Sequence, residues 1–345
     1  MNTNDSFNQT KTVTARIVSV HKNRFQIVLD SAERKAAEHD AVLAGRLLYR
    51  GEIPVVGDYI EAEFETSPVG KPVGDARIVS ILPRKSLITR PEYRVGTQNM
   101  AANVDICFLV VSANADFSVN RIARYASAVL QGGSKPVVVL TKADLCSDLS
   151  EYMHRITEIC GNIQMHCVSS KTGVDIDELR QYLVPGTTIG LFGSSGVGKS
   201  TLINTLLGRE IMRTGDIREK DDKGRHTTTH RELITLPNGA FVIDTPGMRE
   251  LGMWDSGDGI DAVFADIEEL SRACRYSDCT HTSEPGCAVL KALADGTLDA
   301  ARLESYRKLK TENEYTADNS RYLEVKRAKF KEIAKINKTN RKNKR

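Results

Sequence analysis

Short, partly alternating apolar segments rich in β-branched residues dominate the chain from residue 12 to about residue 86. Their sequences are TARIVSV, RFQIVLD, YIEAEF and ARIVSIL, and turns that contain glycine separate them. This pattern predicts four or five strands, enough for a small barrel, of which the five-stranded OB-fold is a common form. We therefore predict an N-terminal OB-fold β-barrel over residues 1–86. Such folds often bind RNA or DNA, but the fold alone does not establish that function.

The pattern changes at Asn103, where continuous apolar runs replace the alternation. VDICFLVVSA, KPVVVLTKAD, IQMHCVSS, TIGLFG and GAFVIDTPG are typical of parallel strands buried on both faces, and helical stretches lie between them. This alternation predicts a doubly wound α/β domain, which we place at residues 87–252. In residues 253–345 we predict a helical domain with a cysteine-bearing loop and an apolar stripe of Leu298, Tyr306 and Leu309.

Composition and charge narrow the class of protein. Hydrophobic residues make up 40% and charged residues 27% of the chain, which excludes a wholly disordered or fibrous protein. No apolar run is long enough to span a bilayer and the polar N-terminus lacks a secretory signal, so we expect a cytoplasmic protein without a membrane partner. From Arg321 to Arg345, eleven Lys or Arg residues stand against two Glu, which leaves 37 basic and 43 acidic residues elsewhere. This basic tail indicates either a polyanionic partner or a solvated, frayed C-terminus.

Residues 193–200 match the phosphate-loop pattern G-x-x-x-x-G-K-[ST], between the strand TIGLF and the helix TLINTLL. Glycines allow backbone N–H groups to turn toward a β-phosphate, and the helix N-terminus adds partial positive charge. We expect Lys199 to act as a catalytic residue that bridges the β- and γ-phosphates, and Ser200 to bind Mg²⁺. The predicted nucleotide contacts of this loop are Gly193, Ser194, Ser195, Gly196, Val197, Gly198, Lys199, Ser200 and Thr201.

Two further segments predict which base the nucleotide carries. Thr141, Lys142 and Asp144 follow a buried strand, where a buried Asp144 carboxylate could accept hydrogen bonds from guanine N1 and N2. Adenine offers no such pair of donors, so this carboxylate would select GTP, and an ATPase would require Asp144 to be misassigned. A segment after the next strand resembles the S-A-K loop that packs on guanine. It consists of Ser169, Ser170 and Lys171.

Residues 244–247 have the form D-x-x-G, in which Asp244 would hold Mg²⁺ through water and the Gly247 N–H would contact the γ-phosphate. In ordinary GTPases the phosphate loop comes first and the two guanine segments last, whereas here the guanine segments come first. This order indicates a circular permutation, which chain termini that lie close together at a domain surface allow. The segment after Gly247, which moves with the γ-phosphate, therefore leads directly into the C-terminal region.

The residue that orients the attacking water is not the glutamine used by Ras-like enzymes. Met248 stands in its place directly after D-x-x-G, and methionine cannot polarise water. Upstream, the segment GRHTTT occupies the position of switch I, where we assign Mg²⁺ binding to Thr228, with Thr227 and Thr229 as alternatives. His226 is the candidate for positioning the water. The alternative is an ordinary surface histidine in a loop.

Three cysteines and one histidine cluster near the end of the chain, as Cys274, Cys279, His281 and Cys287. Three thiolates and one imidazole suit a tetrahedral Zn²⁺ with no open position, hence one structural rather than catalytic metal. The alternative is a set of reduced thiols without a metal. The odd total of seven cysteines disfavours a disulfide framework.

Together TKAD, GSSGVGKST, GRHTTT, DTPGMRE and CRYSDCTHTSEPGC resemble a bacterial family of circularly permuted GTPases, ribosome small-subunit-dependent GTPase A. The resemblance covers nearly the whole chain: barrel, permuted GTPase domain and zinc module. It implies a GTPase that the small (30S) ribosomal subunit stimulates and that acts in late maturation of that subunit. It also implies the water-positioning role of His226. The family usually has Asn where this chain has Thr141, a departure that concerns nucleotide affinity more than base selection.

We therefore predict a cytoplasmic, monomeric GTPase that uses Mg²⁺ and one structural Zn²⁺. Its expected partners are GTP or GDP, the small ribosomal subunit and the 16S rRNA of that subunit. GTP would set the state with high affinity for the subunit, and hydrolysis would release the protein. The alternative is an RNA-binding assembly chaperone that uses GTP only as a structural ligand, because Met248 is compatible with idle hydrolysis.

Overall fold

A computed structural model describes residues 9–21, 24–29, 38–66, 72–92, 96–114, 117–194, 196–208, 232–244 and 257–314. Within these ranges the chain forms one large mixed sheet, a separate hairpin and two groups of helices. None of the helices in this part of the chain is long and apolar enough to cross a membrane.

The N-terminal region is the predicted five-stranded barrel. Its strands are β1 (Gln9–His21), β2 (Arg24–Leu29), β3 (Glu38–Leu43), β4 (Tyr59–Thr66) and β5 (Pro72–Ile81). They are hydrogen-bonded in the order β1-β2-β3-β5-β4, and β4 pairs again with β1 and closes the barrel. The long strand β1 pairs with β4 through its first half and with β2 through its second half, and its register with β2 shifts between Ile17 and Ser19. The short helix α1 (Gly45–Arg50) connects β3 to the rest of the barrel.

The alternation of the sequence explains the barrel interior. Side chains at every second position point inward, and the inward set is apolar. The barrel core contains Ile17, Phe25, Ile27, Ile60, Phe64 and Ile78, all of them buried.

A hairpin that the sequence analysis did not separate lies between the barrel and the α/β domain. Its strands are β6 (Leu87–Glu92) and β7 (Gly96–Ala102), which pair antiparallel with each other. The hairpin contacts the barrel side through Val56, whose carbonyl oxygen accepts a hydrogen bond of 3.0 Å from the Ala102 N–H. Ile88 and Met100 are fully buried in the core beneath it.

The α/β domain contains β8 (Ile106–Ser112), β9 (Lys135–Thr141), β10 (Met165–Cys167), β11 (Thr188–Phe192), β12 (Glu232–Thr235) and β13 (Phe241–Asp244). The strand order is β10-β9-β8-β11-β13-β12, and every pairing is parallel except that of β12 with β13. The helices are α2 (Val119–Gln131), α3 (Ser150–Cys160), α4 (Ile176–Arg180) and α5 (Lys199–Leu207). The continuous apolar runs of the sequence are therefore parallel strands covered by helices, as predicted.

The barrel and the α/β domain share one continuous 11-stranded sheet. The two parts meet where Ser19 of β1 pairs antiparallel with Glu232 of β12. The buried side chain of Arg16 reinforces this junction: it donates hydrogen bonds to the Gly57 carbonyl oxygen at 3.3 Å and to Thr188 Oγ1 at 2.7 Å. Local sequence patterns do not reveal a strand pairing between segments so far apart in the chain.

The C-terminal region is helical, as predicted. Its helices are α6 (Gly257–Val263), α7 (Ala265–Ser271), α8 (Ala288–Ala294) and α9, of which residues 300–314 are described. The predicted stripe of Leu298, Tyr306 and Leu309 is buried. Helix α6 packs closely on α2, because a Cβ atom at Gly259 would lie 2.0 Å from the Ser127 carbonyl oxygen.

Candidate nucleotide site and metal centre

The phosphate loop lies between β11 and the first turn of α5. Its first residue must be glycine: Gly193 has a φ of +151°, and a Cβ atom there would lie 2.2 Å from the Val110 carbonyl oxygen. Gly198, with a φ of 98°, precedes the first turn of α5. The Lys199 ammonium group donates hydrogen bonds of 2.7 Å to the carbonyl oxygens of Gly193 and Ser194. The loop therefore has the form that wraps a phosphate, with its lysine held along it.

The remaining predicted residues of the phosphate loop lie as follows. The buried side chain of Val197 packs into the core of the α/β domain. Ser200 and Thr201 lie in the first turn of α5, directly after Lys199. Gly196 has a positive φ of 77°. Ser195 lies outside the described residues.

Thr141 connects the guanine side of the site to the phosphate loop. Its hydroxyl oxygen lies 2.5 Å from the Val197 carbonyl oxygen and 3.0 Å from the Val111 carbonyl oxygen. A hydroxyl group has one proton, so it donates to one of these carbonyls at a time, and Val197 is the nearer. The threonine hydroxyl thus bridges strand β9 to the phosphate loop in a chain that lacks asparagine at this position.

Asp144 and the serine segment meet where β9 and β10 end. Ser169, which is fully buried, donates a hydrogen bond of 2.6 Å to Asp144 Oδ1. The Asp144 side chain is exposed, in contrast to the buried carboxylate that the sequence suggested, because it stands on a short 3-10 turn beyond the strand. Lys142 just before it has a left-handed φ of 60°. Ser170 is half-buried and Lys171 exposed in the turn that follows Ser169.

Asp244 is the last residue of β13, beside the strand that leads into the phosphate loop. Its backbone pairs in register with Leu191 of β11. The carboxyl ends of parallel strands share one edge of a sheet, so Asp244 and the phosphate loop lie at the same edge. Gly247, His226 and Thr228 lie outside the described residues, and their roles stay predictions.

Arg121 is a contact of the phosphate loop that the sequence analysis missed. It lies in the first turn of α2, and its Nη1 donates a hydrogen bond of 3.0 Å to Ser194 Oγ. In the sequence this contact is indicated only by a basic residue at the start of the helix that follows β8. Strand β8 ends beside β11, the strand that leads into the phosphate loop. Only the strand order makes that position significant.

The four metal-ligand candidates converge in the loop between α7 and α8. The ligand atoms of Cys274, Cys279, His281 and Cys287 all lie within 4.8 Å of one another. Cys274 Sγ is 3.8 Å from Cys287 Sγ, and His281 Nδ1 is 3.6 Å and 3.5 Å from these two sulfurs. A tetrahedral zinc site with ordinary bond lengths has edges of about 3.8 Å between sulfurs and about 3.5 Å between sulfur and nitrogen. The described geometry therefore fits Zn²⁺.

The hydrogen bonds around His281 prepare it as a ligand. The Ser271 hydroxyl donates to the Ile267 carbonyl oxygen at 2.8 Å, so its oxygen is left to accept from His281 Nε2–H at 3.0 Å. This tautomer leaves the Nδ1 lone pair directed at the sulfurs, and a partner on the second ring nitrogen is typical of metal-binding histidines. Burial lowers the pKa of His281, which favours the neutral imidazole that binds metal.

Glu284 organises the rest of the metal loop. Its carboxylate accepts hydrogen bonds from the backbone N–H groups of Thr280 and Thr282, each at 2.8 Å, and of Ser283 at 2.9 Å. The Thr280 hydroxyl also donates to it. The hydrogen bonds from Thr280 and Ser283 hold the pKa of this carboxyl well below its usual range. The loop that carries the four ligands is thus ordered by its own polar contacts.

Comparison with known proteins assigns the chain to a family. Residues 81–254 match the family described as RsgA GTPase. The chain is 43% identical over 317 residues to the small ribosomal subunit biogenesis GTPase RsgA 2 of Lactiplantibacillus plantarum. This match covers 90% of this chain and 86% of that protein. It is 40% identical over 299 residues to the small ribosomal subunit biogenesis GTPase RsgA of Methanosarcina acetivorans, covering 86% and 78% of the two chains.

Solved structures agree with this assignment. The crystal structure of YjeQ from Thermotoga maritima superposes with a TM-score of 0.64 at 28% identity, over 87% of this chain and 97% of that one. YloQ, described as a circularly permuted GTPase, superposes with a TM-score of 0.63 at 23% identity, over 90% and 97% of the two chains, and so supports the fold. The chain, with its guanine segments before its phosphate loop and its cysteine–histidine cluster after it, therefore belongs to the RsgA GTPase family.

Proposed function

We propose that the protein binds the small ribosomal subunit and hydrolyses GTP to GDP and phosphate during late maturation of that subunit. The observation that carries this proposal is the meeting of the phosphate loop, the Thr141 bridge and the Ser169–Asp144 pair at one sheet edge. The two relatives described above, which match most of the chain, are small ribosomal subunit biogenesis GTPases. The partner RNA would be the 16S rRNA of the subunit.

In this proposal the residues around the phosphate loop share the work of binding. The loop N–H groups and Lys199 hold the β- and γ-phosphates, and Asp144 accepts the guanine donors, while Lys142 and the Ser169–Lys171 segment enclose the base. Ser200, Thr228 and Asp244 would hold Mg²⁺, which when bound withdraws negative charge from the phosphates. The contacts of Lys199 with loop carbonyls support its role, because they keep the ammonium group along the path of the phosphates.

His226 is the residue that we propose to orient the attacking water. A histidine can accept a proton from water, whereas Met248 offers no comparable group. Docking on the subunit would bring His226 inward, toward the γ-phosphate. Gly247 would contact the γ-phosphate through its N–H.

We propose a structural role for the zinc site and three functional units, at residues 1–86, 87–252 and 253–345. Four protein ligands leave no open position on a tetrahedral metal, which supports a structural role. The barrel and the C-terminal unit would contact rRNA through phosphates and shape, together with the basic tail. The protein would act in the cytoplasm as a monomer, without a membrane partner.

The test is GTP hydrolysis by the purified chain, alone and with isolated small subunits, large subunits or free RNA. Strong stimulation by small subunits alone is the expected result. His226→Ala should abolish that stimulation and leave GDP binding unchanged. If small subunits leave the rate of GTP hydrolysis unchanged but still bind in a GTP-dependent way, the second candidate is favoured, a passive RNA-binding chaperone. The supporting observation for that candidate is Met248.

A further inference from the structure

The phosphate loop is held from its outer side by a residue of another element. Arg121 donates from Nη1 to Ser194 Oγ at 3.0 Å, across 73 positions of sequence. Both side chains are partly buried, between the ends of β8 and β11. A guanidinium group gives a planar, permanently charged donor, and hydrogen bonds from charged donors are stronger than neutral ones.

Ser194 is also held through its backbone. Its carbonyl oxygen accepts a hydrogen bond of 2.7 Å from the Lys199 ammonium group. The side chain of Ser194 is thus fixed by Arg121 while its peptide group is fixed by Lys199. Because a phosphate loop binds through backbone N–H groups, the orientation of its peptides decides how well the phosphates fit.

Helix α2, which carries Arg121, is itself firmly placed. Its inner face is buried, with Ile122, Ala126 and Val129 each fully inaccessible. At its far end the Gln131 side chain accepts a hydrogen bond of 2.9 Å from the Gly259 N–H of α6. Arg121 therefore reaches the loop from a fixed base, and its contact restrains the loop rather than the helix.

We propose that Arg121 is a positioning residue of the nucleotide site: through Ser194 it holds the phosphate loop in the form that binds the β-phosphate of guanine nucleotides. This inference rests on the proposed GTP binding and adds a residue to it. Arg121 acts on the loop and not on the γ-phosphate, so its loss should weaken GDP and GTP by the same factor. A direct γ-phosphate contact would affect GTP alone.

The experiment measures equilibrium binding of fluorescent GDP and of a fluorescent non-hydrolysable GTP analogue to the full chain. Arg121→Gln should weaken both by about fivefold to tenfold, the size expected for the loss of one typical, partly exposed hydrogen bond. Arg121→Lys should restore part of the affinity. Ser194→Ala should weaken both nucleotides to the same degree, and the double variant should lose little more, because both changes break one contact.

Arg77→Gln serves as the matched control, because Arg77 makes a similar side-chain contact with Glu63 on the outside of the barrel. Unchanged GDP affinity in both Arg121→Gln and Ser194→Ala would overturn the inference, as would losses that add in the double variant. Should Arg121→Gln fail to fold, Ser194→Ala removes only one hydroxyl group and still carries the test. Failure of the unmodified chain to bind either nucleotide would instead overturn the proposed function.

Discussion

Arg124 of α2 and Glu312 of α9 form a two-pronged ion pair across 188 positions of sequence. Arg124 Nη2 lies 2.9 Å from Oε1 and 2.7 Å from Oε2 of Glu312, and Nε lies 3.2 Å from Oε2. The same two helices are joined again one turn earlier in α2 and about two turns earlier in α9, where Ser305 donates a hydrogen bond of 2.8 Å to Asn120. Helix α2 therefore contacts the phosphate loop through Arg121 and the C-terminal region through Arg124.

We expect Arg124→Gln to lower the free energy of unfolding by about 0.5–1 kcal/mol, because the pair is well aligned but partly exposed to water. Glu312→Gln should have the same effect, and the double variant should be no less stable than either single variant. Urea titration followed by circular dichroism at low and high salt measures this, and salt should shrink the difference. Independent, additive losses would show that the pair does not join the two helices energetically.

Loss of a zinc ligand should unfold the loop between α7 and α8. Cys287→Ser is expected to reduce bound zinc from one ion per chain to less than one and to lower the Tm by about 5 °C or more, since metal binding contributes directly to folding. Cys146→Ser is the matched control, because Cys146 is distant in sequence and belongs to no ligand cluster among the described residues. Metal analysis and thermal scans measure both effects. An unchanged zinc content in Cys287→Ser would contradict the assignment.

Base selection can be tested by reversing the hydrogen-bonding character of Asp144. Asp144→Asn presents an amide N–H in place of one carboxylate oxygen, which opposes the N2 amino group of guanine but complements the carbonyl oxygen that xanthine has at C2. We expect GDP affinity to fall by about 100-fold or more and xanthosine diphosphate to bind in its place. Asp148→Asn is the control, since Asp148 caps the Ser150 N–H at 2.8 Å in the adjacent loop. Competition binding measures both, and retained GDP affinity in Asp144→Asn would exclude Asp144 from the base site.

The ion pair between Arg302 and Asp266 should make stability depend on pH. Burial alone would raise the pKa of Asp266, but the hydrogen bonds and charge of Arg302 outweigh it and hold that pKa below its usual value. A carboxyl whose folded-state pKa is lowered stabilises the protein above its ordinary pKa of about 4 and loses that contribution as the pH falls further. Arg302 itself is buried and also donates to the Ile159 and Val263 carbonyl oxygens at 2.6 Å and 3.0 Å.

We therefore expect Asp266→Asn to lower the free energy of unfolding by about 1–2 kcal/mol at pH 7, with a difference that shrinks below about pH 4. Asp177→Asn is the control, because its pair with Arg180 is largely exposed. Urea titrations across the pH range provide the measurement. A pH-independent difference would mean that the Asp266 charge does not stabilise the fold.

Local patterns in the sequence predicted most of the secondary structure. Alternation identified barrel strands such as β2, and continuous apolar runs identified β8, β9 and β11, because burial on one or both faces leaves those patterns. The spacing from Cys274 to Cys287 predicted the metal cluster, since all four ligands lie in one short loop.

Relationships between distant segments were not predictable in the same way. The pairing of Ser19 with Glu232 and the contact of Arg121 with Ser194 depend on strand order, which local periodicity does not encode. The exposure of Asp144 was missed for a related reason: the sequence indicates where β9 ends but not that the chain then turns outward.

The joined sheet has a consequence for how the two halves of the molecule can move. Strand β12 begins directly after residues 209–231, which include His226, and it meets the barrel strand β1 at one residue pair, Ser19 with Glu232. The apolar core also continues across this junction, where Val18 and Val56 on the barrel side share one buried cluster with Leu233 and Ile243. The guanidinium of Arg16 lies 4.8 Å and 4.5 Å from the ring centres of Tyr59 and Phe241, and so spans the same junction. Because closely packed interiors transmit strain, a displacement of the barrel would reach β12, the strand next to the segment that carries His226.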